Sequence, residues 1–252
     1  MNYNWNWGIF WEPSPYGAGA GTYMDMLLHG LYLTLLTSFT AAIFALIIGV
    51  VVGTSRTLPN RWLRRATNAY IEVFRNIPLL VQFFVWFFVV PELLPEAAGA
   101  WLKTLPQAPF LTAVVCLAFF HSTRVAIMLS AGVNSLAVGQ RLAGYAMGFT
   151  LPQTYRYVLL PMAFRLSLPP LGSECLNIIK NSSVALTIGL LELTASARAM
   201  SEFSFQTFEA FTAATVIYLV VNVTVLMLMR LLEKRVAIPG FSAGKSILQG
   251  KH

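Results

Sequence analysis

The chain has 252 residues, of which 57% are hydrophobic and 11% charged, with a mean hydropathy of +0.66. A soluble domain carries about 25% charged residues, so this composition excludes a water-covered globule and points to a surface largely in lipid. The net charge of +7 does not indicate nucleic acid, because the basic residues are dispersed at the ends of apolar runs, where they anchor loops at anionic lipid. Cys116 and Cys175 both lie in apolar runs and suggest neither a disulfide framework nor a metal site.

Residues 1–22 contain no Lys or Arg and no apolar core of a cleavable signal. The first hydrophobic span is therefore expected to direct insertion itself. A helix needs about 20 mostly apolar residues to cross the hydrocarbon core. Five segments meet that length: about Met26 to Gly53, Asn68 to Val90, Pro109 to Leu136, Leu166 to Leu191, and Phe211 to Leu232. The fourth is interrupted by polar residues. Irregular stretches join them, notably the Pro/Gly-rich start Glu12 to Gly21 and the Pro-rich link Pro91 to Pro109. The reading is one all-α membrane domain of five transmembrane helices, with 1–22 outside, 23–236 as the membrane domain and 237–252 as an inner tail.

Orientation follows from the basic residues. Arg56, Arg61, Arg64 and Arg65 lie between spans one and two. Arg141, Arg156 and Arg165 lie between three and four, and Arg230, Lys234, Arg235, Lys245 and Lys251 at or after the end of span five. Only Lys103 and Arg198 lie in the two other links. Twelve against two places the N-terminus outside and the C-terminus in the cytoplasm. Trp5, Trp7, Trp11 and Trp101 then fall at the outer interface, as an aromatic belt requires.

The loop between spans three and four is polar. It reads Gly139-Gln140-Arg141-Leu142-Ala143-Gly144, then Gly148, then Val158-Leu159-Leu160-Pro161. Gly148 permits a tight turn between two short helices, and Pro161 is expected to bar a continuous helix through its position. The bare alternative is an ordinary amphipathic loop. The spacing resembles the cytoplasmic coupling loop of permease subunits of binding-protein-dependent ABC importers. Their pattern is Glu-Ala-Ala, three residues, Gly, nine residues, Ile, one residue, Leu-Pro. Here Gly148, Val158, Leu160 and Pro161 fall in register, while Leu142-Ala143-Gly144 stands where Glu-Ala-Ala is usual; the resemblance implies ATPase coupling by Ala143, Gly144, Gly148, Val158, Leu160 and Pro161.

The resemblance extends further. Phe74-Arg75-Asn76-Ile77-Pro78-Leu79-Leu80-Val81-Gln82 is similar to a segment of polar amino-acid permeases. So is Leu168-Pro169-Pro170-Leu171, followed by Asn177-Ile178-Ile179-Lys180-Asn181-Ser182-Ser183. The likeness covers roughly residues 23 to 240 and is nearest to the glutamate/aspartate branch of the histidine/glutamine/glutamate permeases. It departs in the third span, where Ile127 and Ser130 replace a Glu and an Arg common in relatives. The resemblance implies a type I importer permease architecture with residues 138–165 as the coupling loop. It also implies a second permease subunit, identical or homologous, two ATP-binding subunits, and a periplasmic substrate-binding protein. It implies no cofactor on this chain, with ATP-Mg held by the partner ATPase, and no catalytic role. The alternative is an ion-coupled carrier or channel that works without ATP.

Three cations lie within apolar stretches. A charge at the bilayer centre costs roughly 2.5–3.5 kcal/mol or more, so such groups face a cavity or a partner. Arg75 can snorkel to the interface and pair with Glu72, three residues earlier. Arg124 lies deeper, after His121-Ser122-Thr123. It either pairs with a carboxylate of another helix or offers two parallel donors to a substrate carboxylate. Lys180, Asn181, Ser182 and Ser183 interrupt span four and suggest local unwinding beside a water-filled path, with helix-end N–H groups free for a carboxylate. Asn181 stands where relatives that carry cationic amino acids often have Asp. An amide there removes repulsion toward an anionic substrate, or else serves only to pack helices. Glu174 and Glu192 are expected to pair with Lys180 or the interface, and His121 to be a hydrogen-bonded helix residue. No His, Cys or carboxylate spacing suggests a metal, and no phosphate loop of an ATPase is present.

Overall fold

The computed structural model describes residues 3–15 and 21–236. Most of the Pro/Gly-rich start beyond Pro15, and the inner tail with Lys245 and Lys251, lie outside the described residues. Three helices are long and apolar enough to cross a membrane: α1 (Tyr23–Thr57), α6 (Ala108–Ser135) and α11 (Thr207–Val236). Two bent pairs supply the rest. The first joins α2 (Arg61–Asn76) at 100° to the run Leu79–Leu93, made of α3 (Leu79–Phe84), a π turn (Val85–Val89) and α4 (Val90–Leu93). The second joins the run Leu151–Ile188 at 50° to α10 (Leu193–Ser204). Counting each pair as one broken span gives five. Short helices α5 (Glu96–Thr104) and α7 (Val138–Ala146) lie between spans.

The second and fourth spans are thus not single helices. Pro78 forces the preceding residue away from helical geometry, and Ile77 is extended at φ −85°, ψ 126°. The carbonyls released at the end of α2 are taken by one side chain. Buried Gln82 donates through Nε2 to the Phe74 carbonyl at 2.7 Å and the Ile77 carbonyl at 2.9 Å. A bend inside lipid needs such an internal partner, since no water is there to replace it.

Pro161 corrects an expectation, because it does not stop the helix. α8 (Leu151–Thr154) passes through a π turn (Tyr155–Leu159) into α9 (Leu160–Asn181), and Pro161 sits in the first turn of α9. A proline clashes with the carbonyl four residues back and gives it no hydrogen. The π turn resolves this by widening the ladder, with the Leu160 N–H donating to the Tyr155 carbonyl. The same device precedes Pro91, where the Val90 N–H donates to the Val85 carbonyl.

The spans pack through small residues. α1 buries Thr34, Thr37, Ser38, Ala41, Ala45, Gly49 and Gly53. A methyl group on Gly49 would lie 2.5 Å from Val125 side-chain atoms, and one on Gly53 2.8 Å from the Ala126 carbonyl oxygen. Only glycine allows α1 and α6 that approach, the usual basis of helix association in lipid. Three apolar clusters follow the bundle from one end to the other. The first holds Ile9, Phe10, Leu27, Leu193 and Met200. The second is central, with Phe83, Leu117, Ile178 and Ile188. The third holds Leu129, Val133, Leu136, Tyr155 and Leu159. The N-terminal segment is tied to α11, where Glu209 accepts from the Tyr3 hydroxyl and, at 2.8 Å, from the Asn6 backbone.

Candidate functional site

Two helix faces converge on one polar cluster between α6 and α9. His121 and Arg124 lie one turn apart on α6. Glu174, Asn177 and Asn181 recur at helical spacing on one face of α9. Glu174 is the hub. Its Oε1 lies 2.5 Å from His121 Nδ1 and 3.7 Å from Arg124 Nε, and Oε2 accepts from Asn177 Nδ2 at 3.1 Å. His121 Nε2 in turn lies 3.2 Å from Asn181 Nδ2. With Nδ1 donating to the carboxylate, Nε2 of a neutral ring accepts from the Asn181 amide, so Glu174 fixes both ring and amide. His121 and Glu174 are buried. The Arg124 side chain is 41% exposed and its guanidinium lies 5.1 Å from the Phe120 ring centre.

The cluster brings together two of the residues singled out from sequence, Arg124 and Asn181. It adds two that were given only structural parts, His121 and Glu174. Their spacing was visible, but one chain does not reveal which helix faces which. Glu174 does not pair with Lys180, which is exposed and makes no ion pair among the described residues. Nor does Glu192, which is buried and caps α10. It accepts from the Thr194 and Ala195 N–H groups and from the Tyr218 hydroxyl.

The unwinding at the polar run takes a different form from the expected one. α9 ends at Asn181 and tightens into a 3-10 helix (Ser182–Ile188), which Gly189 closes at φ +87°. The Ser182 N–H already donates to the Ile178 carbonyl and so is not free for a carboxylate. Buried Ser182 turns its hydroxyl to the Ile179 carbonyl at 2.8 Å, and Ser183 to the Lys180 carbonyl at 2.7 Å. Arg75 and Glu72 are both exposed and form no ion pair among the described residues. Among the described residues, no group of three His, Cys, Asp or Glu side chains could hold a metal ion.

The loop 138–165 forms a helical knob. α7 ends in a turn at Gly148, whose φ of +77° suits glycine. Phe149 N–H donates to the Gly144 carbonyl at 3.1 Å, and Thr150 with Gln153 forms a capping box for α8. Gly144 is buried against Thr154, whose Cγ2 a methyl group would approach to 3.0 Å. Val158 and Leu160 pack on the third apolar cluster. Tyr155 donates its hydroxyl to the Thr57 carbonyl at 2.9 Å and so ties the knob to the end of α1. Ala143, Gly148 and Pro161 are exposed. So are Val138, Leu142, Tyr145, Met147 and Tyr157, an apolar face left uncovered by the described residues.

Residues 20–238 match the binding-protein-dependent transport system inner membrane component family, and the chain belongs to it. It is therefore a permease subunit of an ATP-driven importer rather than an enzyme, with ATP hydrolysis on a separate subunit. That membership sets aside the ion-coupled carrier. The chain is 44% identical over 248 residues to the glutamate/aspartate import permease protein GltJ of Escherichia coli (strain K12), covering 97% of this chain and 100% of that one. It is 33% identical over 211 residues to the probable glutamine ABC transporter permease protein GlnM of Bacillus subtilis (strain 168), covering 84% and 93%. It is also similar to a crystal structure of an amino acid ABC transporter with histidines, at TM-score 0.72 and 28% identity over 84% of this chain and 95% of that one. The fold is that of the type I importer permeases.

Proposed function

We propose that this permease moves an acidic amino acid, glutamate or aspartate, past Arg124 and Asn181. The observation that carries the reading is a half-exposed guanidinium held at 3.7 Å from a buried carboxylate that already serves His121 and Asn177. Arg124 makes no hydrogen bond among the described residues, so its remaining N–H groups are available to a substrate carboxylate in the parallel geometry that guanidinium favours. The Asn181 amide adds no charge that would repel that carboxylate. The name of the 44% identical relative points the same way. Lys180 supports the reading only as a nearby positive charge, and Ser182 and Ser183 as residues that shape the 3-10 segment.

In this reading residues 1–22 face the periplasm, 23–236 form the permease, and 237–252 lie in the cytoplasm. Two permease subunits, alike or homologous, enclose the path. A periplasmic binding protein delivers substrate, and two ATP-binding subunits, holding ATP-Mg, grip the knobs at residues 138–165. Closure of the ATPases draws the knobs together. The motion passes through the π turn into α9, which carries Glu174 and Asn181, and through Tyr155 into α1.

The test is uptake of labelled glutamate, aspartate and glutamine by the complete transporter in proteoliposomes, with ATP inside and binding protein outside. A hydrogen bond to a charged group contributes roughly 1.5–3 kcal/mol, so Arg124→Gln should slow glutamate uptake about tenfold or more and glutamine uptake much less. Asn181→Asp should act in the same direction. Two unit charges about 4 Å apart repel by about 4 kcal/mol at an effective dielectric of about 20. Glutamate uptake at the parental rate in both variants would remove the cluster from the path.

A further inference from the structure

A second polar site lies at the opposite end of α1 from its capping box. The C-terminal ends of α1 and α6 and the N-terminal half of α2 enclose a cavity of about 400 Å³. Its polar lining is Arg56, Thr57, Arg64, Asn68, Ser130 and Asn134. No carboxylate lines it, and neither arginine belongs to an ion pair among the described residues. Half-buried Arg56 donates through Nε to Asn68 Oδ1 at 2.9 Å and through Nη1 to Ser130 Oγ at 3.1 Å. Both partners are neutral. They aim the guanidinium without balancing its charge, and its remaining N–H groups are left for an occupant. A cation partly withdrawn from water and left uncompensated favours an anion beside it.

The depth of the cavity selects the anion. On α2, Trp62 is exposed with the Arg61 and Arg65 guanidinium groups each 5.3 Å from its ring centre. That combination belongs at the headgroup level of a bilayer. Toward the bundle centre, half-buried Val52 and Ile48 follow Arg56 one and two turns back along the same side of α1, an apolar surface in line with the cavity. We propose that the cavity holds the phosphate of an anionic glycerophospholipid, clamped between Arg56 and Arg64. The lipid also touches the coupling apparatus indirectly. Thr57 forms part of the wall, and its carbonyl receives the Tyr155 hydroxyl at the start of the π turn. An occupied cavity fixes the end of α1 against which the knob rests.

The full-length chain in mild detergent, examined by native mass spectrometry, tests this. Phosphatidylglycerol and phosphatidylcholine of equal chain length compete, with and without millimolar inorganic phosphate. The parent should retain one phosphatidylglycerol in preference by about tenfold or more, the factor that a charge-assisted hydrogen bond commands. Arg56→Gln with Arg64→Gln should abolish the preference. Asn134→Asp should do so as well, and it keeps the fold intact because Asn134 is exposed and makes no hydrogen bond among the described residues. Arg61→Gln with Arg65→Gln, which alters only the Trp62 face, should leave it unchanged. Equal retention of the two lipids by the parent would overturn the proposal. So would an undiminished preference in the Asn134→Asp chain, or loss of preference only in the Arg61/Arg65 chain. Complete displacement of the lipid by inorganic phosphate would assign the cavity to free phosphate instead.

Discussion

Gln82 shows how much a single amide can hold. It lies four residues after Pro78 and spends both Nε2 hydrogens on carbonyls that the broken helix leaves open. Each buried carbonyl left unpaired costs roughly 1–3 kcal/mol. Gln82→Leu keeps much of the side-chain volume and removes both donors, so it should lower the thermal midpoint of the purified chain by several degrees. An unchanged midpoint would mean that the bend at Pro78 is held by packing alone. The motif Phe74 to Gln82 was recognisable in the sequence, but Pro78 was read within one unbroken span from about Asn68 to Val90. The reason for the glutamine was not legible, because it depends on which way the chain turns after the proline. The Glu174 hub has the same origin. Glu174, Asn177 and Asn181 share a helix face by arithmetic, but the arrival of His121 and Arg124 opposite them is a matter of helix packing.

At the scale of elements, the knob separates into an inner and an outer half. Gly144, Val158 and Leu160 face inward and shape it, while Leu142, Tyr145, Met147 and Tyr157 face outward. Leu142 is 59% exposed and extends the apolar face. Gly148 has nothing within 4 Å of where a methyl group would stand. Gly148→Ala therefore carries only the cost of a left-handed backbone for an L-residue, about 1–2 kcal/mol, and should weaken but not abolish coupling. Gly148→Pro also removes the N–H that reaches the Tyr145 carbonyl, and should abolish it. Co-purification of the ATPase and substrate-stimulated ATP hydrolysis report the difference. Full stimulation with Gly148→Pro would detach the turn from the mechanism. Short α7 and the turn were readable from Gly148 and the polar run, whereas the second helix is not short but runs on into the fourth span. The π turn was not, since a proline in sequence looks the same whether the helix stops or widens ahead of it.

On the scale of the whole molecule, most of the apolar surface faces outward. α11 buries only Glu209, Ala210 and Ala214, and exposes Phe211, Leu219, Val220, Met227 and Leu231. Such a helix is stable only in lipid or against another subunit. The span count and the uneven distribution of arginine were legible because hydropathy and charge act over whole segments. The two bends were not, because they arise from single residues at Pro78 and Gly189. Orientation is open to a direct measurement. In a chain lacking Cys116 and Cys175, a cysteine at Ala97 should react with an impermeant thiol reagent from the periplasmic side, and one at Gln153 should not. Both positions are exposed. Labelling of the Gln153 site from that side would reverse the topology and remove the knob from the ATPase.

The π turns at Val85–Val89 and Tyr155–Leu159 also bear on how such a chain tolerates changes of length. Each holds one residue more than an α-helical path needs. A one-codon deletion within Tyr155–Leu159 would remove the surplus residue and bring the Pro161 ring back against the carbonyl four residues before it. It would also rotate everything on its N-terminal side by about 100°, the angle of one helical residue, and swing the outward face of the knob away from any ATPase seated beneath it. A change of reading length at this point would therefore be severe for transport, and it would also cost stability by drawing Tyr155 and Leu159 out of the third apolar cluster.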